Sequence, residues 1–354
     1  MSALPKAALY YSPQSIWASV PLLALEEKGY GNDEVDLKRV DISKGENFEP
    51  TYLRLNPAGT VPTLVVPLNK TLSPEIESRY KAVQDTKAIV EFLDKSRSAQ
   101  SRTNTTSHAP SPSLAPATIA FSAASNQIID LLHSQVADPN ALFYMNARSE
   151  DELQTLAKQL VPFLVGRDDT LSRLLSESDT GAIHVSEKTK AFWQLKKMAT
   201  DKFLQVFEQA GKSGADLTDE EVRRRDEYFK SSLAAWTGLK DVLATLNTAV
   251  LGPYTLGDQL SIADLHLAAW LARIALLSGA TASENGTSVL GKIEAHVGGD
   301  FTLPKEFSVA EARRRVGLPA ANVESSEHQS KLAAFWDTMK ERPSWKKVYG
   351  EGLH

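Results

Sequence analysis

The 354-residue sequence predicts two domains, a small α/β domain followed by an all-helical one. Three observations carry this. The first 96 residues alternate strand-like and helix-like stretches, in the order β-α-β-α and then strand and helix again. From Thr118 to the last residue, 354, nearly every periodic stretch has helical spacing. Between them, residues 97–117 are poor in aliphatic side chains and rich in Ser, Thr and Pro, as a solvated linker is. The domains therefore read as 1–96, a linker 97–117, and 118–354.

In order, Ala7 to Tyr11 reads as a short strand. Ser12-Pro13-Gln14-Ser15 then turns into a helix, because serine is a favoured N-cap and the apolar run Ile16 to Leu25 follows; Lys28-Gly29 ends it. Val35 to Val40 alternates apolar and charged residues, the pattern of a half-buried strand. Phe48 to Leu55 reads as a short helix. Pro62 has no N–H for a sheet ladder, so it starts the strand Val61 to Val66 rather than sitting inside one. An X-Pro bond at such a corner takes the cis form at little cost. That form would turn the Val61 N–H and C=O outward, where an extended peptide ligand could pair with them. Leu68 to Lys81 reads as irregular, with a last strand near Tyr80 to Val83 and a helix over Asp85 to Leu93.

The second domain reads as helices over Ile119 to Gln135, Glu150 to Leu164, Ser186 to Ala210, Glu220 to Ala249, Ile262 to Leu277 and His328 to Glu341. Before the fifth of these, Ser261 at the N-cap and Asp264 three residues on form a variant capping box, which gives Asp264 a structural task.

Composition excludes several function classes. A hydrophobic content of 42% and a net charge of -5 describe a globular chain with a sizeable core. No basic block offers itself to a phosphate backbone, so no nucleic acid is expected. No stretch reaches the roughly 18 to 20 apolar residues of a membrane span, and no signal-peptide pattern precedes the first strand; a cytoplasmic protein is expected. With no cysteine, disulfides, thiolate zinc sites and a cysteine nucleophile are ruled out. The seven histidines show no metal-ligand spacing, so no metal is expected. Asn104-Thr-Thr and Asn285-Gly-Thr match glycosylation acceptors but mean nothing in a protein that is not secreted.

The stretch Asn56-Pro-Ala-Gly-Thr-Val-Pro-Thr-Leu64 resembles the signature of the glutathione S-transferase superfamily. Thr255-Leu-Gly-Asp-Gln-Leu-Ser-Ile-Ala-Asp264 is similar to that family's C-terminal-domain motif, and Phe335-Trp336 with Arg342-Pro-Ser-Trp345 to its last helices. The resemblance implies a thioredoxin-like N-terminal domain, a helical C-terminal domain with an insertion at about 138–227 and a second at 278–327, and glutathione as co-substrate. It implies that Val61 with Pro62 holds the cysteinyl backbone, and that Asp85-Thr86 stands where a Glu-Ser or Gln-Ser pair grips the γ-glutamyl end; Glu77-Ser78 is the rival pair. A serine at the first helix would hydrogen-bond the sulfur. Ser15 lies in Pro-x-Ser, as in phi-like and theta-like transferases, and Ser12 lies directly before the proline, as in tau-like ones; the distance to Leu-Ala-Leu-Glu-Glu27 favours Ser15. The helix N-terminus suits a thiolate, whose ordinary pKa of ~8.5 falls beside such donors.

The chain departs from the phi-like pattern at Asn47-Phe48, where basic residues would face the glycyl carboxylate. Lys44 and Asn47 are the candidates left near that end. For a hydrophobic co-substrate the candidates are Tyr11, Trp17, Ile129 and His133. The implied activity is a serine-type, homodimeric glutathione transferase that conjugates the thiolate to a hydrophobic electrophile. The alternatives are a non-catalytic, ligandin-like or regulatory protein of the same fold, and a glutathione-dependent ether-cleaving enzyme.

Overall fold

The computed structural model describes residues 6–67, 80–98, 106–319 and 327–354. Glu77-Ser78 and the acceptor at Asn104 lie outside them. Strands β1 (Ala7–Tyr11), β2 (Val35–Arg39), β3 (Thr63–Pro67) and β4 (Tyr80–Val83) alternate with helices α1 (Ile16–Glu27), α2 (Pro50–Leu53) and α3 (Thr86–Ser96). Ten helices follow: α4 (Ile119–Leu132), α5 (Pro139–Tyr144), α6 (Glu150–Asp179), α7 (Glu187–Phe207), α8 (Asp219–Ala249), α9 (Ile262–Leu277), α10 (Gly286–Val297), α11 (Val309–Arg315), α12 (Lys331–Lys340) and α13 (Pro343–Tyr349). A two-stranded ribbon pairs Phe307–Ser308 with His328–Gln329. The N-terminal region is thus thioredoxin-like and the C-terminal region mostly helical, as the sequence implies. No helix among the described residues is long and apolar enough to cross a membrane.

The chain divides into two compact units, residues 1–38, 62–139 and 236–354 in the first and 39–61 with 140–235 in the second. In the first unit the sheet runs β2-β1-β3-β4, with β1 and β4 both antiparallel to β3. Leu9 and Leu64 are register partners at its centre, and both are fully buried. Helix α9 is the middle of the helical part, packed by α1, α4, α10 and α12. Only Ser278, its C-cap, and Leu276 lie outside its run of buried residues from Ile262 to Leu277, which is why its sequence is apolar on all sides. Its start is the predicted capping box: the Ser261 N–H and hydroxyl both donate to the Asp264 carboxylate, at 2.6 and 2.7 Å, and the Thr255 N–H joins them at 2.6 Å.

The described part of the segment read as a solvated linker is mostly exposed, as expected, and its backbone is also tied down. Lys28, the C-cap of α1, and Asp94 of α3 form an ion pair at 2.7 Å with side chains 1% and 5% exposed. The Lys28 ammonium also donates to the Pro112 carbonyl at 2.6 Å, while the Asp94 carboxylate accepts from the Leu114 and Ala115 N–H groups at 2.9 and 3.1 Å. Arg97 donates to the carbonyls of Lys28, Ser107 and Ala109. Gly29 (φ +65°) permits this approach, since a Cβ there would stand 2.6 Å from the Pro110 carbonyl oxygen. The side chains of this stretch stay mostly exposed, while the buried charge pair and Arg97 hold its backbone.

In the second unit α6 and α7 pair along their lengths. Helix α6 continues past the expected end at Leu164, through Pro162, to Asp179. Leu171 and Leu174 extend its apolar stripe and pack with Phe48 and the fully buried Trp193, whose indole N–H donates to the Phe48 carbonyl at 3.0 Å. The expected helix over Phe48 to Leu55 is broken into a 3-10 turn, Glu46–Phe48, and α2 with Pro50 in its first turn. The region 278–327 is less irregular than expected: α10 buries Val289, Leu290, Ile293 and Val297, and Asn285 caps it through the Ser288 N–H. The described helix at the end of the chain begins at Lys331 rather than His328, which pairs in the ribbon.

Removing one partner of a buried ion pair leaves the other charge uncompensated, at a cost of about 3 to 5 kcal/mol. Urea denaturation of Lys28→Met and Asp94→Asn is expected to show losses of that size. The double variant Lys28→Met/Asp94→Leu is expected to lose less than the sum.

Candidate functional site

The site in the first unit is built on the start of α1. The chain leaves β1 at Tyr11, makes a turn in which the Ser15 N–H donates to the Ser12 carbonyl at 3.0 Å, and enters the helix with Ser15 at the N-cap (φ -87°, ψ 114°). The Ser15 side chain makes no capping hydrogen bond to the helix. Ser15 is half-buried, whereas Ser12 is only 4% exposed. From α9, Arg273 donates to the Gln14 carbonyl at 2.7 Å and so fixes the turn just before Ser15.

Pro62 is buried at the entrance to β3. Asp85 is the N-cap of α3, its carboxylate accepting from the Ala88 N–H at 2.8 Å, and Thr86 beside it is buried. Trp17, the second residue of α1, stacks on His133 at the C-terminal end of α4, with ring centroids 3.8 Å apart and planes 21° from parallel. His133 Nε2 in turn meets His266 Nδ1 of α9 at 2.9 Å. Burial lowers the pKa of His133, with the Asp85 charge acting the other way, and burial holds His266 well below 6.5. One hydrogen lies between the two nitrogens, and the remaining His266 nitrogen, Nε2, is buried with no hydrogen-bond partner among the described residues.

Of the residues expected to touch a hydrophobic co-substrate, then, Trp17 and His133 come together. Ile129 is buried in the core, 3% exposed, and its side chain has no open face. Tyr11 lines a separate cleft of about 790 Å³ with Gln14, Tyr30, Leu37, Lys347 and His354. His266 and Arg273 were not singled out from the sequence. Their signal is two polar residues, seven apart and so on one face, in a helix otherwise buried all round. Among the described residues no group of three or more His, Asp or Glu could hold a metal ion.

Lys44, Asn47 and Val61 belong to the second unit. Lys44 is exposed, 3.8 Å from Asp41, and its carbonyl accepts from the Thr170 hydroxyl at 2.7 Å. Asn47 is buried and donates to the Gly59 carbonyl at 2.7 Å. Asn56, fully buried, accepts from the Ala58 N–H at 3.0 Å and donates to the Thr60 carbonyl at 2.9 Å, which the Tyr52 hydroxyl also reaches at 2.6 Å. The backbone leading to Val61 is thereby held at three points. Gly59 (φ +61°) closes the turn, and a Cβ there would stand 3.1 Å from the Phe192 ring.

Residues 14–96 match the family described as glutathione S-transferase, N-terminal domain. The match covers the N-terminal part of this chain. Ser15, Pro62, Asp85 and Thr86 fall inside the matched stretch of that domain, and Ser12 lies before it. Over 64 residues the chain is 47% identical to the tetrachloro-p-hydroquinone reductive dehalogenase of Sphingobium chlorophenolicum, a match spanning 18% of this chain and 25% of that protein. A β-etherase of Sphingobium sp. strain SYK-6 superposes over 98% of this chain and 100% of its own, at 16% identity and a TM-score of 0.47. A glutathione transferase homolog from Sulfitobacter, solved with bound glutathione, does so over 98% and 97%, at 14% identity and a TM-score of 0.44.

The buried His266 gives the site a pH signature. A histidine whose folded pKa lies below 6.5 takes up its proton first in the unfolded chain, so its contribution to stability is complete above about pH 6.5 and is lost as the pH falls below it. Thermal melts of the native chain are expected to fall from pH 6.5 downward, and those of His266→Gln to fall less over the same interval.

Proposed function

We propose that this chain is a glutathione transferase of the serine type, which conjugates the glutathione thiolate to a hydrophobic electrophile. The observation that supports it most is the placement of Ser15, inside the matched glutathione S-transferase domain, at the N-terminus of a twelve-residue helix. The unpaired N–H groups of that first turn and its partial positive charge favour an anion. A thiolate beside it gains a hydrogen bond from the serine hydroxyl. In this reading the Val61 backbone, next to Pro62, pairs with the cysteinyl residue, and Asp85 with Thr86 takes the γ-glutamyl amine and carboxylate. The sulfur forms a bond to carbon as a leaving group departs with the electron pair.

The chain has no thiol of its own. A mechanism through an enzyme cysteine and a mixed disulfide is therefore closed, and the only sulfur nucleophile is the ligand's. Trp17 stacked on a neutral His133 offers an uncharged aromatic surface for the electrophile. The β-etherase and dehalogenase named above mark two other reactions that the same thiolate could serve. A binding protein without turnover is the alternative from another class.

Retention on immobilised glutathione, followed by assays with aryl halides and isothiocyanates, separates these readings. Turnover is expected; retention without it would leave the ligandin-like reading, and no retention would remove glutathione altogether. Ser15→Ala is expected to raise the bound thiol's pKa by about one unit, worth ~1.4 kcal/mol, and to slow turnover near neutral pH with partial recovery at higher pH. Ser12→Ala is expected to show little of this. Ser15→Cys, at a helix N-terminus that lowers thiol pKa, is expected to form a mixed disulfide with oxidised glutathione visible by mass spectrometry. Adduct formation by Ser12→Cys alone would transfer the role to Ser12.

A further inference from the structure

The second unit holds two cations for which no anion is provided. Arg167 of α6 lies over the Phe48 ring, its guanidinium carbon 4.9 Å from the centroid, and Lys196 of α7 places its ammonium 5.4 Å from the centroid of Phe192. The two rings are 6.2 Å apart. Among the described residues neither side chain has an ion-pair partner, and Arg167 Nε is buried without a hydrogen bond. The neighbouring carboxylate is committed elsewhere: Asp168 accepts from the Lys197 ammonium at 2.5 Å, and Asp201 completes that group at 3.1 Å.

Burial lowers the pKa of both groups, and the charge of Arg167 lowers that of Lys196 further. Two like charges held partly out of water oppose one another and stay charged only at a cost, which an anion between them would offset. Aromatic faces hold each cation but leave its N–H donors to be satisfied.

We propose that Arg167 and Lys196 form a binding site for the carboxylate of an organic ligand. A guanidinium presents two parallel N–H donors that match a carboxylate, with the ammonium adding a point charge. Phe192, only partly buried, supplies an apolar wall for a carbon skeleton, which a phosphate or sulfate dianion lacks, while the buried Phe48 ring backs the guanidinium. The carboxylate can be that of a free aromatic acid or the C-terminal one of a peptide such as glutathione; the recognition chemistry is the same. The site stands whether or not the chain is a transferase.

The test is calorimetric titration of the whole chain, and of Arg167→Met and Lys196→Met, with benzoate, inorganic phosphate, glutathione, and glutathione esterified at its glycyl carboxylate. Saturable binding of benzoate or glutathione is expected, weakened about tenfold or more in each variant, the usual worth of a charge-assisted hydrogen bond. Loss of glutathione affinity in the variants and on esterification assigns the carboxylate to the peptide. Weakened benzoate binding with glutathione unaffected assigns it to a free acid. Melting of both variants is expected to stay level or rise, because an uncompensated cation has been removed while its apolar stem remains. Binding of every probe unchanged in both variants would overturn the proposal, as would phosphate binding more tightly than either carboxylate. A sharp fall in melting without any change in binding would make the two cations structural.

Discussion

The ion pair between Lys28 and Asp94 is the constraint on which the first unit depends. Both charges are out of water, and such a pair gains little unless its remaining donors and acceptors are filled. They are filled by the Pro112 carbonyl and the N–H groups of Leu114 and Ala115, so the end of α1, the end of α3 and the segment after it become one hydrogen-bonded body. The same segment goes on to the start of α9, where the Leu114 carbonyl accepts from the Ile262 N–H at 3.0 Å. Two residues later Asp264 gathers three donors around a carboxyl that burial pushes up to about 6. Helix α9 then carries Arg273 back to the turn before Ser15. The position of the candidate serine thus follows from a chain of buried hydrogen-bonded groups that runs from Lys28 to Arg273.

That chain explains what could be read from the sequence and what could not. Local signals survived: Ser261 and Asp264 lie three residues apart, and the Asn56–Leu64 loop is held largely by side chains within it, Asn56 bonding to Ala58 and Thr60. These depend on spacing that a sequence displays directly. Lys28 and Asp94 are 66 residues apart, and nothing in the serine- and proline-rich stretch between 97 and 117 announces a buried partner. The stretch is mostly exposed, as its composition implies, but its remote partners act on its backbone, which composition does not display. Ile129 is a different case: helical spacing places it on a face, but only packing decides that the face is closed.

The second unit repeats the lesson with charge instead of burial. The run from Lys190 to Gln209 contains Lys196 and Lys197 side by side, indistinguishable by composition. On the helix they point to different surroundings. Lys197 finds Asp168 and Asp201, while Lys196 meets only an aromatic ring and another cation. Likewise Asn47, where basic residues would stand in phi-like transferases, donates to the Gly59 carbonyl instead and helps to shape the loop.

Within the first unit the groups around Trp17 have the opposite electrostatic character. His133 and His266 share one hydrogen-bonded contact, and loss of solvent lowers the pKa of both, so they add polar nitrogen atoms to the aromatic surface with little tendency to add charge. Charge beside His133 comes from Asp85, Asp130 and Asp138 in one sense and from Lys87 in the other. A neutral aromatic wall next to a helix N-terminus keeps an uncharged ligand and an anion apart by chemistry alone: the N–H groups at Ser15 reward negative charge, and the stacked rings reward a flat apolar body. In the proposed function such a division of surfaces would let an anionic nucleophile and an apolar target be held by different forces, so that neither set of contacts need change when the other ligand leaves.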